Sequence, residues 1–180
     1  SKGDFAMVEK LLTVDWVAEH GGDPNVQLVE VDVDIGAYGE GHIEGAVGWN
    51  WTTQLQDQTR RDILTKEAVE ELLSASGISN DTHVVLYGDN NNWFAAYALW
   101  LLELYGHENV SLMDGGRVKW LAESRPTSQA DPAASPASYS AQDANLSLRA
   151  KRDDVLQAIG GGVQLVDVRS PAEFSGEVIA

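Results

Sequence analysis

The sequence predicts an α/β fold, a parallel sheet flanked by helices on both faces. Three observations carry the prediction. Short apolar runs of strand character alternate with segments of helical apolar spacing, which is the pattern of βαβ units. One run, Val84 to Tyr87, is apolar at every position, as a strand covered on both faces requires. The pattern that opens the chain also returns near its end, VQLVEV at 26–31 and VQLVDV at 163–168, each after a short helical stretch closed by glycines.

The elements follow in order. Leu11 to Val14 reads as a short strand, and Asp15 to His20 as a helix closed by Gly21 and Gly22. Val26 to Val33 alternates apolar residues with acids and reads as a strand. Gly36, Gly39, Gly41, Gly45 and Gly48 mark 36–48 as a loop with tight turns. Thr65 opens a helix whose stripe is Val69, Leu72 and Leu73 and whose end is Gly77. After the strand 84–87 comes a polar loop. An apolar helix then runs from Trp93 to Tyr105 and stops at Gly106. Val110 to Met113 is a strand, Asp114-Gly115-Gly116 a turn, and Val118 to Glu123 a helix.

Residues 7–124 therefore form one expected domain. Residues 125–145 hold Pro126, Pro132 and Pro136 among Ser, Ala, Asp and Gln, and are expected to be an extended linker. Residues 146–180 repeat the opening of the first domain, with a helix at 152–159 and a strand at 164–168. They are expected to be a second copy cut short, since so few residues cannot close a core.

Composition excludes several functions. The 180 residues hold 12 Lys and Arg against 28 Asp and Glu, a formal charge of -16. Such a surface repels phosphate backbones, so neither nucleic acid nor an anionic membrane is an expected partner. The start Ser1-Lys2-Gly3-Asp4 lacks the layout of a secretory signal, and the expected location is the cytoplasm. No cysteine is present, which removes disulfides, thiolate chemistry and Cys-held metals from this chain. His20, His42, His83 and His107 are scattered without an H-x-x-x-H pair, so neither a metal nor a cofactor is expected.

The best-placed candidate site is the loop beyond the strand 84–87, because ligands of open α/β sheets sit past the carboxyl ends of strands. It reads Gly88, Asp89, Asn90, Asn91, Asn92 and then Trp93, with no nucleophile and no cation. Asp89 there opposes an anion. The plain structural role for Asp89 or an asparagine is to cap the following helix.

Several segments together resemble the rhodanese family, in particular its tandem-domain thiosulfate sulfurtransferases. They are Leu28-Val29-Glu30-Val31-Asp32, Gly41-His42-Ile43-Glu44-Gly45-Ala46, Val84 to Tyr87, Tyr105-Gly106-His107, and Asp114-Gly115-Gly116 with Trp120. The second copy adds Leu165-Val166-Asp167-Val168-Arg169 and Glu173-Phe174. The resemblance implies nucleophilic catalysis. A Cys thiolate attacks the outer sulfur of thiosulfate, the S–S bond breaks, sulfite leaves, and the persulfide passes its sulfur to cyanide or a thiol. The family's loop is C-x-x-G-x-R directly after the strand. Here the Cys position is Gly88, the Gly position Asn91 and the Arg position Trp93.

The resemblance thus implies a non-catalytic first domain followed by the start of a catalytic one. No residue of this chain is expected to be catalytic. Asp167 and Arg169, at the end of the second copy's expected strand, are the candidates for holding or orienting a substrate, and a local ion pair is their structural alternative. Where the family has a further anion-binding Arg, this chain is acidic, near Glu173. The first copy carries Glu30 and Asp32 at the two matching positions, with no cation beside them in sequence. The expected partners are the remainder of a second rhodanese domain and, for the parent protein, thiosulfate and a thiophilic acceptor. A non-enzymatic scaffold or protein-binding module of the same fold is the alternative.

Overall fold

The computed structural model describes residues 8–132 and 135–179. The chain divides into two compact units, Ser1–Asn145 and Leu146–Ala180.

The first unit is built on five strands: β1 (Leu11–Leu12), β2 (Val26–Asp32), β3 (Val47–Asn50), β4 (His83–Gly88) and β5 (Val110–Met113). All neighbours pair in parallel, in the order β1-β5-β4-β2-β3. Its helices are α1 (Val14–His20), α2 (Ile35–Glu40), α3 (Trp51–Gln54), α4 (Lys66–Ala75), α5 (Trp93–Leu104) and α6 (Gly116–Ala122).

Alternation along the strands separates two cores. Val29 and Val31 of β2 and Val84 and Leu86 of β4 face α4 and α5, where Val69, Leu73, Ala98 and Leu102 meet them. Leu28, Val85 and Tyr87 face the other way, toward Val14 and Val17 of α1 and Trp120 of α6. Both faces of β4 are therefore covered, which explains its unbroken apolar run. The helix starts follow local chemistry. Thr13 accepts from the Trp16 N–H and Thr65 from the Ala68 N–H, each satisfying a donor that the first turn leaves free.

The segment 36–48 differs from the expected loop. It contains α2, capped by Asp34 through the Gly36 N–H, and leads into β3, whose Val47 and Trp49 are buried against β2. Gly36, Gly39 and Gly48 sit inside these elements. Gly48 is there because the Tyr38 ring packs against it, about 3.0 Å from where a Cβ would stand.

The described residues of 125–145 form no helix or strand beyond a single bridge between Ser128 and His42. They nevertheless pack closely. The N–H groups of Ala137, Gln142 and Asn145 donate to the carbonyls of Ser74, Tyr105 and Leu104 at the ends of α4 and α5. Those carbonyls are among the acceptors that a helix C-terminus leaves over. Tyr139 and Ala141 are buried in the core beside them.

The second unit holds a 3-10 turn at Leu146–Leu148, α7 (Arg152–Ala158) and α8 (Pro171–Ser175). The strand expected at 164–168 is not formed, and residues 163–168 have no regular structure. A parallel strand needs neighbours to pair its N–H and C=O groups, and this unit has no other strand among its described residues. The apolar residues of the repeat stay exposed, including Leu165, Val166, Val168 and Phe174.

Candidate functional site

Parallel pairing places Val31 of β2 opposite Gly88 of β4 and Glu30 opposite Tyr87. The carboxyl ends of β2, β4 and β5 thus lie side by side, and the loop 88–93 covers them.

Gly88 is buried, and a Cβ built on it would overlap the carbonyl of Val31. The position where the resemblance expects the nucleophile has no space for any side chain. Next come Asn90, Asn91 and Asn92, all left-handed with φ of 47, 55 and 64. Asn tolerates that region better than most residues, yet three in succession store strain.

Side chains of the loop pay back this strain and consume its donors. The Gly88 N–H donates to Asn92 Oδ1 at 3.0 Å, and Asn92 Nδ2 donates to the Met113 carbonyl at 2.8 Å. The Asp89 N–H donates to Asp32 Oδ1 at 2.9 Å. The Asp89 carboxylate in turn accepts from the N–H groups of Val33 and Asp34 at 3.1 and 3.0 Å. The N–H groups of Asn92 and Trp93 turn back to the carbonyls of Asp89 and Asn90. An anion cradle needs such N–H groups free, and four of them are committed. Asp89 and the asparagines therefore do not cap α5 as expected: neither Asp89 nor Asn92 makes a side-chain cap bond. Asp89 and Asn92 tie the loop to the ends of β2 and β5. Trp93, where the resemblance expects an Arg, is 70% exposed.

Beneath the loop lies a buried charged cluster. Glu30 and Asp32, two residues apart on one face of β2, are 0% and 2% exposed. Arg117, the second residue of α6, donates through Nη1 to Glu30 Oε1 at 2.7 Å and to the Gly41 carbonyl at 2.5 Å. Tyr87 donates into the same space and accepts from the Ile43 N–H at 3.0 Å. Arg117 thus pairs with Glu30, and Asp32 has no cation bound to it among the described residues. Glu30 Oε2 and Asp32 Oδ2 are left without a donor. Burial, the Glu30 carboxyl within hydrogen-bonding range and its charge push Asp32 up to about 8. A proton held on Asp32 and shared toward Glu30 satisfies both oxygens at once. Burial and the Glu30 charge likewise hold the Tyr87 phenol well above its ordinary value.

Sequence reading left Glu30 and Asp32 without a cation. The structure supplies Arg117 from 87 residues away. The available signal was position: Arg117 is the first Lys or Arg after the carboxyl ends of β4 and β5.

Asp167 and Arg169 lie in the second unit and form a local pair, Arg169 Nη2 to Asp167 Oδ2 at 2.8 Å and Nε to Oδ2 at 3.0 Å. The Arg169 guanidinium holds Asp167 below its ordinary value. Both residues are exposed, and Glu173 caps α8 through Ser170 rather than facing them with its carboxylate.

Nothing in the loop or the cluster is a nucleophile that solvent can reach. The arrangement can brace the carboxyl end of the sheet and hold one proton there.

A model of the rhodanese-like domain family matches residues 13–123. The chain is 53% identical, along all of its length, to a Haloferax volcanii protein provisionally named thiosulfate sulfurtransferase, and covers 64% of it. It is 47% identical to the sulfur carrier protein TtuD of Thermus thermophilus, with 97% of this chain and 62% of that protein aligned. The chain thus spans about three-fifths of the length of these curated relatives. Among solved structures, SseA of Escherichia coli, described as a 3-mercaptopyruvate sulfotransferase, superposes with a TM-score of 0.79 at 27% identity, covering 93% of this chain and 68% of that one. The Tum1 protein of Saccharomyces cerevisiae shares the fold at a TM-score of 0.75 and 16% identity, over 96% of this chain and 64% of its own.

Proposed function

The chain belongs to the rhodanese-like family, and from that premise we propose that its first unit is the non-catalytic half of a thiosulfate sulfurtransferase and its second unit the opening of the catalytic half. The observation that carries the reading is Gly88. The family's nucleophile would stand there, the backbone leaves no room for it, and the chain contains no cysteine anywhere. The exposed apolar repeat of residues 163–168 supports the second part of the reading, since it matches the buried strand β2.

In the proposed parent protein, a Cys thiolate on the catalytic half attacks the outer sulfur of thiosulfate. The S–S bond breaks and sulfite leaves with the electron pair. Cyanide or a thiolate then attacks the persulfide sulfur, and the Cys leaves as thiolate again. By repeat correspondence Asp167 and Arg169 match Glu30 and Asp32 of β2, the strand paired with the one that leads into the loop 88–93. In the catalytic half Arg169 would offer its guanidinium to the anionic donor.

The test is thiosulfate:cyanide turnover. The chain alone should be indistinguishable from buffer. A polypeptide carrying the rest of a second rhodanese unit, with its Cys loop, should restore turnover when combined with it. Turnover by this chain alone would overturn the reading.

A second reading has one observation in its favour. Trp93 stands exposed on a loop whose donors are already used, which suits a docking module better than a ligand site. Retention of a partner protein that is lost with Trp93→Ala, with no turnover in any combination, would favour that reading.

A further inference from the structure

A cleft of about 540 Å³ opens in the first unit at the far pole of the sheet from the loop 88–93. Its wall includes Val26, Gln27 and Leu28, the start of β2, whereas the loop follows the end of β4. Three to five residues of parallel strand separate the two levels, about 10–16 Å. Segments in or beside two of the sequence motifs line it. Gly41-His42-Ile43-Glu44-Gly45 contributes Ile43, Glu44 and Gly45, and the turn Asp114-Gly115-Gly116 leads to Trp120. We propose that this cleft binds a small organic cation with an apolar body.

The size and the floor argue for the apolar body. Ligand sites commonly measure about 300–1,000 Å³ and are mostly apolar with a few converging polar groups. Val17, Leu28, Ile43 and Trp120 are buried side chains that line this one. Gly22 and Gly45 leave open space in front of their backbones, where a Cβ would meet nothing within 4 Å. Gly45 has a φ of 81, so a larger residue would not readily close the cleft there.

The charges argue for the cation. Arg125 is the one Lys or Arg on the lining. Its guanidinium is already bound by both Asp15 and Glu123 and lies 5.6 Å from the Trp120 ring centre. An incoming anion would have to displace two carboxylates. Asp23 and Glu44 add two further acids to the lining. The Gln27 amide fixes its own orientation, because Nε2 donates to the carbonyls of Leu28 and Gly45 at 2.9 and 3.0 Å. What it has left to offer is a carbonyl oxygen, an acceptor suited to an ammonium or amidinium. The formal charge of -16 extends the same preference over the approach.

The test uses three probes of one size: benzamidine, benzyl alcohol and benzoate, titrated into the full chain and followed by amide NMR. Benzamidine is expected to shift the Gly22 and Gly45 amides and the Trp120 indole N–H, and to bind about tenfold more tightly than benzoate. Glu44 is exposed and outside both cores, so Glu44→Lys should fold normally; it is expected to weaken benzamidine several-fold and to narrow or reverse its lead over benzoate. Equal or tighter binding of benzoate, shifts confined to other residues, or a Glu44→Lys chain that ranks the probes as the parent does would each overturn the proposal. None of these outcomes depends on sulfur transfer.

Discussion

At Gly88 the backbones of β2 and β4 approach so closely that a Cβ would overlap the Val31 carbonyl. Gly88→Ala and Gly88→Cys should therefore cost alike, about 1–3 kcal/mol, because the clash belongs to the Cβ and not to the thiol. Urea unfolding of the two variants checks this. A G88C chain as stable as the parent, taking up sulfur from thiosulfate, would show that the loop is only a cysteine short of activity. The proton on Asp32 gives a second prediction at this scale. Its folded value is about 8 against an ordinary 3.8, so the folded chain holds that proton more tightly than the unfolded chain. The stabilisation is complete below 3.8 and is lost as pH rises through about 8, with a slope of at most ~1.4 kcal/mol per pH unit. His83 and His107 act with the opposite sign: burial lowers both, so their contribution weakens as pH falls below their ordinary 6.5. Subtracting the Asp32→Asn stability curve from the parent's cancels the histidines. The difference should decline across the window from pH 4 to about 8, and a flat difference would remove the shared proton.

At the scale of elements, the carboxyl ends of β2, β4 and β5 are held by side chains of a loop that has no regular structure of its own beyond one 3-10 turn. Asp89 contributes two of those ties, through Val33 and Asp34. Asp89→Ala should cost about 1 kcal/mol, since both N–H groups can reach water once released. It should also speed hydrogen exchange at the Val33 and Asp34 amides and leave β1 unchanged; unchanged exchange at those two amides would show the tie to be idle. The strands β2, β4 and β5 were legible in sequence because apolar runs survive any tertiary context. α2 and β3 were not, because Gly36, Gly39 and Gly48 mimic a turn when their true reason, such as the Tyr38 ring over Gly48, lies outside the local window. That the loop 88–93 carries no nucleophile and no cation was legible from its residues. The pairing of Arg117 with Glu30 was not, because only the sheet order brings residues 87 apart together. The strand expected at 164–168 failed for the converse reason: its sequence is that of β2, but a strand is a property of its neighbours as much as of its residues.

At the scale of the whole molecule, the repeat gives a closely similar sequence two outcomes. In β2, VQLVEV is paired on both sides and its Leu28, Val29 and Val31 are buried. In the second unit VQLVDV is unpaired, and Leu165, Val166 and Val168 are 51%, 73% and 88% exposed. Burying an apolar side chain of this kind is worth about 1.5–3 kcal/mol, so the set has a large free-energy incentive to find a sheet. Unpaired backbone groups add to it, and so does the hazard that such a segment pairs with another chain. In this chain alone, amides 163–168 should exchange within seconds while those of β2 and β4 stay protected, because only the latter carry ladder hydrogen bonds. Adding a polypeptide with the remaining strands of a rhodanese-like unit should slow exchange at 163–168 toward the β2 values and leave β4 as it was. If 163–168 is protected without any addition, another surface already pairs it and the incentive argued from exposure disappears. If it stays unprotected while turnover is restored, the catalytic unit assembles without this strand, and the correspondence between the two copies fails.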